Sequence, residues 1–251
     1  MTPRLSRRAP AGLLAVGLLL AGCAGGRTAA VPQCERGSAV LTLEQAQNAS
    51  TIAVVGKRLG LPDHAVTVAL ATALQESKLH NLSYGDRDSV GLFQQRPSQG
   101  WGPAASLQVP RLAAAAFYRR LVTVPGWAAL PVTVAAQKVQ RSGAPGAYAQ
   151  WEGQARELAG GLTGQVPAGV ACRFVPSRPI DPTLRRVAAL ELGPGGLDRA
   201  GTGPSRAAAA WLVAHASAYG VRVVSLDGQT WTPKAGAWKP DAAAASTLTW
   251  R

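Results

Sequence analysis

The side chains best suited to acid–base chemistry gather in one stretch, Ala73 to Gly102. Glu76-Ser77 closes an apolar run there. Tyr84, Asp86 and Asp88 follow in a polar loop, and Val90-Gly91-Leu92-Phe93-Gln94-Gln95 returns from it. A carboxylate where a buried helix meets solvent suits a general acid. The negative end of the helix dipole and partial burial both disfavour its charge, and a proton donor must hold its proton until a bond breaks. Ser77, Gln94 and Gln95 carry hydroxyl and amide groups, and Gly91 lacks a side chain. Each residue also has a plain structural use. Glu76 at a helix end can be solvated or paired with Lys78, and Ser77 can solvate the same end. Asp86 and Asp88 can close turns on their own backbone. Gly91 can mark a bulge, and Gln94 can face solvent.

The surrounding elements must hold this stretch in place. Thr42 is a fitting cap for a helix over 43–59 with Glu44 in its first turn, and Gly60 suits its left-handed end. Asp63 opens the next helix, over 64–79. Val66, Val68, Ala69, Leu70, Ala73 and Leu74 make that helix apolar on nearly every side, the pattern of a buried one. Residues 80–89 are turn formers, and Val90–Gln95 reads as a short strand. Helices are predicted over 110–122, 131–142 and 147–158, with Pro110 and Pro131 in first turns. Tyr148, Trp151, Ala155 and Leu158 form one stripe on the last of these, read as core packing.

Residues 160–182 are rich in Gly and Pro and read as a linker. Beyond them, 184–192 is expected to be a strand and 205–219 a helix ended by Gly220. Residues 221–226 alternate as a strand, Asp227-Gly228 is a hairpin turn, and 229–232 returns antiparallel. At about 70 residues this α+β module is small for an independent fold.

The 251-residue chain carries a formal charge of +13, or +10 without Arg4, Arg7 and Arg8. Such a surface favours anionic partners. Nucleic acid is not expected, because Arg-rich runs and helix-turn-helix or zinc-finger spacings are absent. His64, His80 and His215 lack metal-ligand spacing with cysteines or acids, and Gly193-Pro-Gly-Gly196 lacks the Lys-Ser/Thr ending of a P-loop. No metal or other cofactor is expected.

The N-terminus has a basic start and an apolar run, Ala11 to Ala21, too short to span a bilayer comfortably; residues 1–22 read as a secretory signal. Its end, Leu20-Ala21-Gly22-Cys23, resembles the lipobox of bacterial lipoproteins. That resemblance implies acylation of Cys23 and an exported protein anchored on the outer face of the membrane, associated with the cell wall. Residues 23–40 read as a tether. With Cys23 acylated, Cys34 and Cys172 remain of the three cysteines. In an oxidising compartment they are expected to pair, the alternative being two separate thiols.

Over 73–102 the chain resembles the lysozyme-like superfamily, above all lytic transglycosylases and goose-type lysozymes, with weaker likeness over 41–160. The carrying residues are Gln75-Glu76-Ser77, Gly85-Asp86-Arg87 and Gly91-Leu92-Phe93-Gln94, in the family's order. The implied fold is a mainly α lysozyme-like domain with a small polar β-hairpin, followed by the small α+β module. The implied activity is cleavage of peptidoglycan glycan strands between N-acetylmuramic acid and N-acetylglucosamine. The resemblance implies Glu76 as acid and then base, Ser77 beside the reacting sugar, and Tyr84, Gly91, Leu92, Phe93, Gln94 and Gln95 along the sugar groove. Asp86 matches an acid that helps hold water in the hydrolases. Two departures stand out. The Ala-Tyr-Asn of many transglycosylases has its nearest match in Ala136-Gln137-Lys138, so the Tyr role falls to Gln137 or vanishes. Arg96 stands where goose-type enzymes carry a second acid. That exchange favours transglycosylase chemistry over hydrolysis, and both departures leave room for a silent wall-binding protein.

Overall fold

The chain was analysed as a computed structural model, which describes residues 31–198 and 202–251. The signal segment and Cys23 lie outside the described residues. Helix α1 (Leu43–Arg58) begins at a reciprocal capping box between Thr42 and Gln45, with Glu44 in its first turn and Lys57 and Arg58 in its last, matching the helix dipole. Helix α2 (Asp63–Ser77) buries every residue from Ala65 to Leu74 and ends at Lys78 in the left-handed conformation. Pro62 rather than Asp63 is its N-cap. It is the central helix, flanked by α1 and, further along, by α4 (Pro110–Leu121), α5 (Val132–Gln140) and α6 (Glu152–Leu162), with the short α3 (Ala104–Leu107) beside α4. Alanines at its contact positions let neighbouring helices approach closely.

Residues 33–40, read from sequence as tether, belong to a hairpin of two short strands joined at Gly37-Ser38. β1 (Gln33–Arg36) and β2 (Ala39–Leu41) pair antiparallel, and β3 (Ala171–Arg173) adds to the other edge of β1. Cys34, Ala39 and Leu41 are buried, which holds this hairpin on the helices. Cys34 lies directly opposite Cys172 in the ladder, and the two are disulfide-bonded. The segment 160–182, read as a linker, starts inside α6 and contains β3.

Residues 184–192 form a helix, α7 (Leu184–Glu191), instead of a strand. Leu184, Ala188, Glu191 and Leu192 are buried, a helical spacing that places them on one face. Helix α8 (Thr202–Tyr219) packs against α1 and leads into the sheet β6-β5-β4-β7, formed by β4 (Val224–Leu226), β5 (Gln229–Thr232), β6 (Ala237–Pro240) and β7 (Thr249–Trp250). Asp227 and Gly228, both at positive φ, make the β4–β5 turn, as a two-residue hairpin of this type requires. This sheet is tied back to β3: the indoles of Trp231 and Trp238 donate to the carbonyls of Cys172 (3.0 Å) and Val170 (2.9 Å). One continuous apolar core runs from Cys34 to Trp231.

Candidate active site

Glu76 lies in the last turn of α2, partly exposed, next to the buried Ser77. One of its oxygens, Oε1, accepts hydrogen bonds from the Tyr148 hydroxyl (2.8 Å) and from Gln140 Nε2 (3.1 Å). Among the described residues, its other oxygen has no hydrogen-bond partner. Tyr148 is fully buried, and a buried phenol needs a partner for its hydroxyl. Burial first, and then the Glu76 carboxylate, push that hydroxyl well above the ordinary tyrosine range, so it stays protonated and donates. Gln140 Nε2 also reaches the Phe93 carbonyl at 2.8 Å and so links Glu76 to the returning loop. Next to Glu76, the Gln75 side chain accepts from the Trp151 indole (2.8 Å), while Lys78 lies over the same ring at 4.2 Å. Lys78 therefore sits on an aromatic face instead of pairing with Glu76.

Ser77 is 6% exposed, and its hydroxyl lies within hydrogen-bond distance of the carbonyls of Ala73 (3.1 Å) and Leu92 (2.8 Å). It joins the loop to the end of α2. The loop is not the short strand expected over 90–95; it is a tight turn closed by a single bridge between Val90 and Gln95. Gly91 sits at φ +75°, and a Cβ there would run into the Leu107 carbonyl. The close approach at Gly91 is therefore to the protein's own backbone.

Leu92 and Phe93, expected along the groove, have fully buried side chains, with Phe93 stacked on Phe117 at 4.7 Å. Gln95 is 1% exposed and donates to the Ala113 carbonyl at 3.2 Å. These three side chains anchor the loop to the core, and their burial keeps them from the surface where a sugar would lie; the Gln95 Oε1 atom is buried without a hydrogen-bond partner among the described residues. Gln94 donates to the carbonyls of Tyr84 (3.2 Å) and Gly91 (3.3 Å), so its amide braces the loop, while the Tyr84 ring is exposed. Gln137 exchanges hydrogen bonds with Ser142, donating to its carbonyl (2.8 Å) and accepting from its hydroxyl (3.0 Å). The amide that reaches Glu76 belongs to Gln140, at the end of the same helix.

The loop acids separate into two kinds. Asp86 is exposed, with Arg87 Nε at 4.0 Å. Asp88 is bound by Arg96 Nε (2.9 Å), the Ser98 backbone N–H (2.7 Å) and the Ser98 hydroxyl (2.9 Å). The Ser98 N–H and then the Arg96 guanidinium hold the Asp88 carboxyl far below the ordinary range. Arg96 thus pairs with Asp88, not with Asp86.

Tyr148 and Gln140 are the site residues that the sequence reading missed. Tyr148 was placed in a core stripe, and it is buried as expected; the signal overlooked was its hydroxyl, which a core position must still satisfy. Among the described residues, no group of three or more His, Cys, Asp or Glu side chains could hold a metal ion. Nor is any described helix long and apolar enough to cross a membrane. In comparisons with protein-family models and with curated proteins, the chain matches none.

Proposed function

We propose that the protein cleaves peptidoglycan glycan strands between N-acetylmuramic acid and N-acetylglucosamine, as a lytic transglycosylase of lysozyme-like fold. The observation that carries this reading is Glu76, a partly exposed carboxyl at the end of a buried helix, with Tyr148 and Gln140 both holding one oxygen and leaving the other free. In the proposed reaction Glu76 donates its proton to the bridging oxygen, and the muramic acid C1–O bond breaks with the electron pair leaving on that oxygen. The Glu76 carboxylate then removes the proton of the muramic acid 6-hydroxyl as that oxygen bonds to C1. A 1,6-anhydro sugar results, and Glu76 ends protonated, as it began. Tyr148 and Gln140 fix the carboxyl and support its charge between the two proton transfers.

The loop acids favour this outcome over hydrolysis. Asp88 is fully engaged by Arg96 and Ser98, and Asp86 is exposed beside Arg87. Among the described residues, neither hydrogen-bonds to Glu76, Tyr148 or Gln140, so neither is tied into the Glu76 network. The test is mass spectrometry of products from purified peptidoglycan in labelled water. Anhydromuramic acid ends are expected. Reducing ends carrying the label would mean a hydrolase, and wall binding without soluble products would mean a silent wall-binding protein.

A further inference from the structure

Beside Gln140 opens a cleft of about 730 Å³, bordered by Trp101, Arg120, Lys138 and Arg141. The Arg120 guanidinium carbon lies 3.8 Å over the centre of the Trp101 ring, and among the described residues the Arg120 side chain hydrogen-bonds to the Gln99 carbonyl at 3.4 Å. Arg141 closes α5 in the left-handed conformation at φ +54°. Among the described residues, no carboxylate lies within ion-pair distance of Arg120, Lys138 or Arg141. Many other described cations of this basic chain also lack an acid, whereas Lys57, Arg96, Arg156 and Arg206 each hold one within 3 Å.

Helix C-termini favour cations, which accounts for a basic residue at the end of α4 or α5 taken singly. It does not account for the convergence of both ends on one cleft, where Arg120 and Arg141 repel each other. Burial and then Arg141 lower the proton affinity of Arg120, the direction expected of a cation that lacks its counter-charge. A guanidinium resting over an indole still has N–H groups to offer, and its fork of donors matches a carboxylate or phosphate.

We propose that this cleft is an anion subsite, seating a carboxylate or phosphate carried by the glycan strand whose backbone lies at Glu76. The inference rests on the glycan-cleavage reading, since Gln140 borders the cleft and also donates to Glu76. It adds what that reading lacks: selection of strands by the charged groups they carry. Carboxylates would come from peptide stems, and phosphate from substitution at the 6-hydroxyl of a sugar other than the muramic acid being cleaved.

The test measures equilibrium binding to the full chain carrying Glu76→Gln, which removes turnover. The probes are three tetrasaccharides: neutral chitotetraose, a peptide-bearing muramic acid tetrasaccharide, and 6-phosphorylated chitotetraose, which carries phosphate and no carboxylate. At least one anionic probe is expected to bind about tenfold tighter than chitotetraose, and the tighter of the two identifies carboxylate or phosphate as the ligand. Arg120→Gln with Arg141→Gln should abolish the difference while chitotetraose affinity holds. Lys138→Gln with Arg141→Gln, which leaves the Trp101 stack intact, should weaken the same preference, so misfolding of the first pair does not decide the matter. Equal affinity for all three probes, no binding of the anionic ones, or a preference that survives both variant pairs would overturn the subsite. If the wild-type chain cleaves no glycan but the preference holds, the subsite stands and the cleavage reading falls; cleavage with no preference means the reverse.

Discussion

At the scale of single residues, the site depends on how one carboxyl is held. Glu76→Gln keeps the side-chain shape and removes the proton that the reaction needs. Glycan cleavage should fall at least about 100-fold with the thermal transition unmoved, read by release of soluble fragments. Tyr148→Phe is the more informative change. It deletes only the hydroxyl that donates to Glu76 at 2.8 Å and leaves the buried ring in place. A hydrogen bond to a charged group contributes about 1.5–3 kcal/mol, so the rate should drop at least about tenfold. An unchanged rate in Tyr148→Phe would remove it from the mechanism.

The elements around Glu76 act as supports more than as contact surfaces. The loop over 84–98 is held from inside by Ser77, Phe93 and Gln95 and from outside by the Asp88–Arg96–Ser98 clamp. Asp88→Asn loosens that outer clamp. Hydrogen exchange at the amides of Ser98 to Gly100 should quicken while those in the middle of α2 keep their protection. Asp86→Asn touches only an exposed side chain, so its effect on cleavage should be far smaller than that of Glu76→Gln. A near-dead Asp86→Asn enzyme would argue for water held by that carboxylate, and so for hydrolysis.

Across the whole molecule, two long-range ties join segments far apart in the chain. The Cys34–Cys172 disulfide closes a segment of 138 residues. Replacing both cysteines with serine should lower stability by about 2–4 kcal/mol, visible as a drop in melting temperature that reductant reproduces in the parent. The second tie is buried between α1, α7 and α8. There Glu191 Oε2 accepts from the Trp211 indole (2.8 Å) and the Thr51 hydroxyl (2.9 Å), with His215 Nε2 at 3.6 Å. His215 Nδ1 lies 2.9 Å from the Trp211 carbonyl, and its ring stacks on Trp211. Glu191 is the charged group facing His215, and its attraction opposes the larger effect of burial, which lowers the His215 proton affinity below its ordinary value of 6.5. The unfolded chain therefore binds the extra proton first. This histidine's contribution is present above pH about 6.5 and fades as the pH falls below it. Denaturation midpoints taken from pH 7.5 down to 5 should decline, and the decline should flatten in His215→Gln.

Much of this was legible in local pattern. An apolar surface on all sides of residues 65–74 requires a buried helix, which places Glu76 at its exit, whatever packs around it. The Thr42 cap and the Asp227-Gly228 turn are equally local, since each depends on side chains and φ angles within four residues. Residues 184–192 misled because a short apolar run does not distinguish strand from helix without its neighbours. The β1–β3 ladder could not be read because its strands are three and four residues long and meet across the chain. The inward turn of Leu92, Phe93 and Gln95 was decided by Phe117 and Ala113 on α4. So were the partners of Glu76: its helix position follows from sequence, but Tyr148 lies 72 residues away and Gln140 lies 64. A hydrogen bond over that distance is fixed by how α5 and the segment after it pack on α2. Hydrophobic periodicity specifies which face turns inward, not which polar atoms then meet.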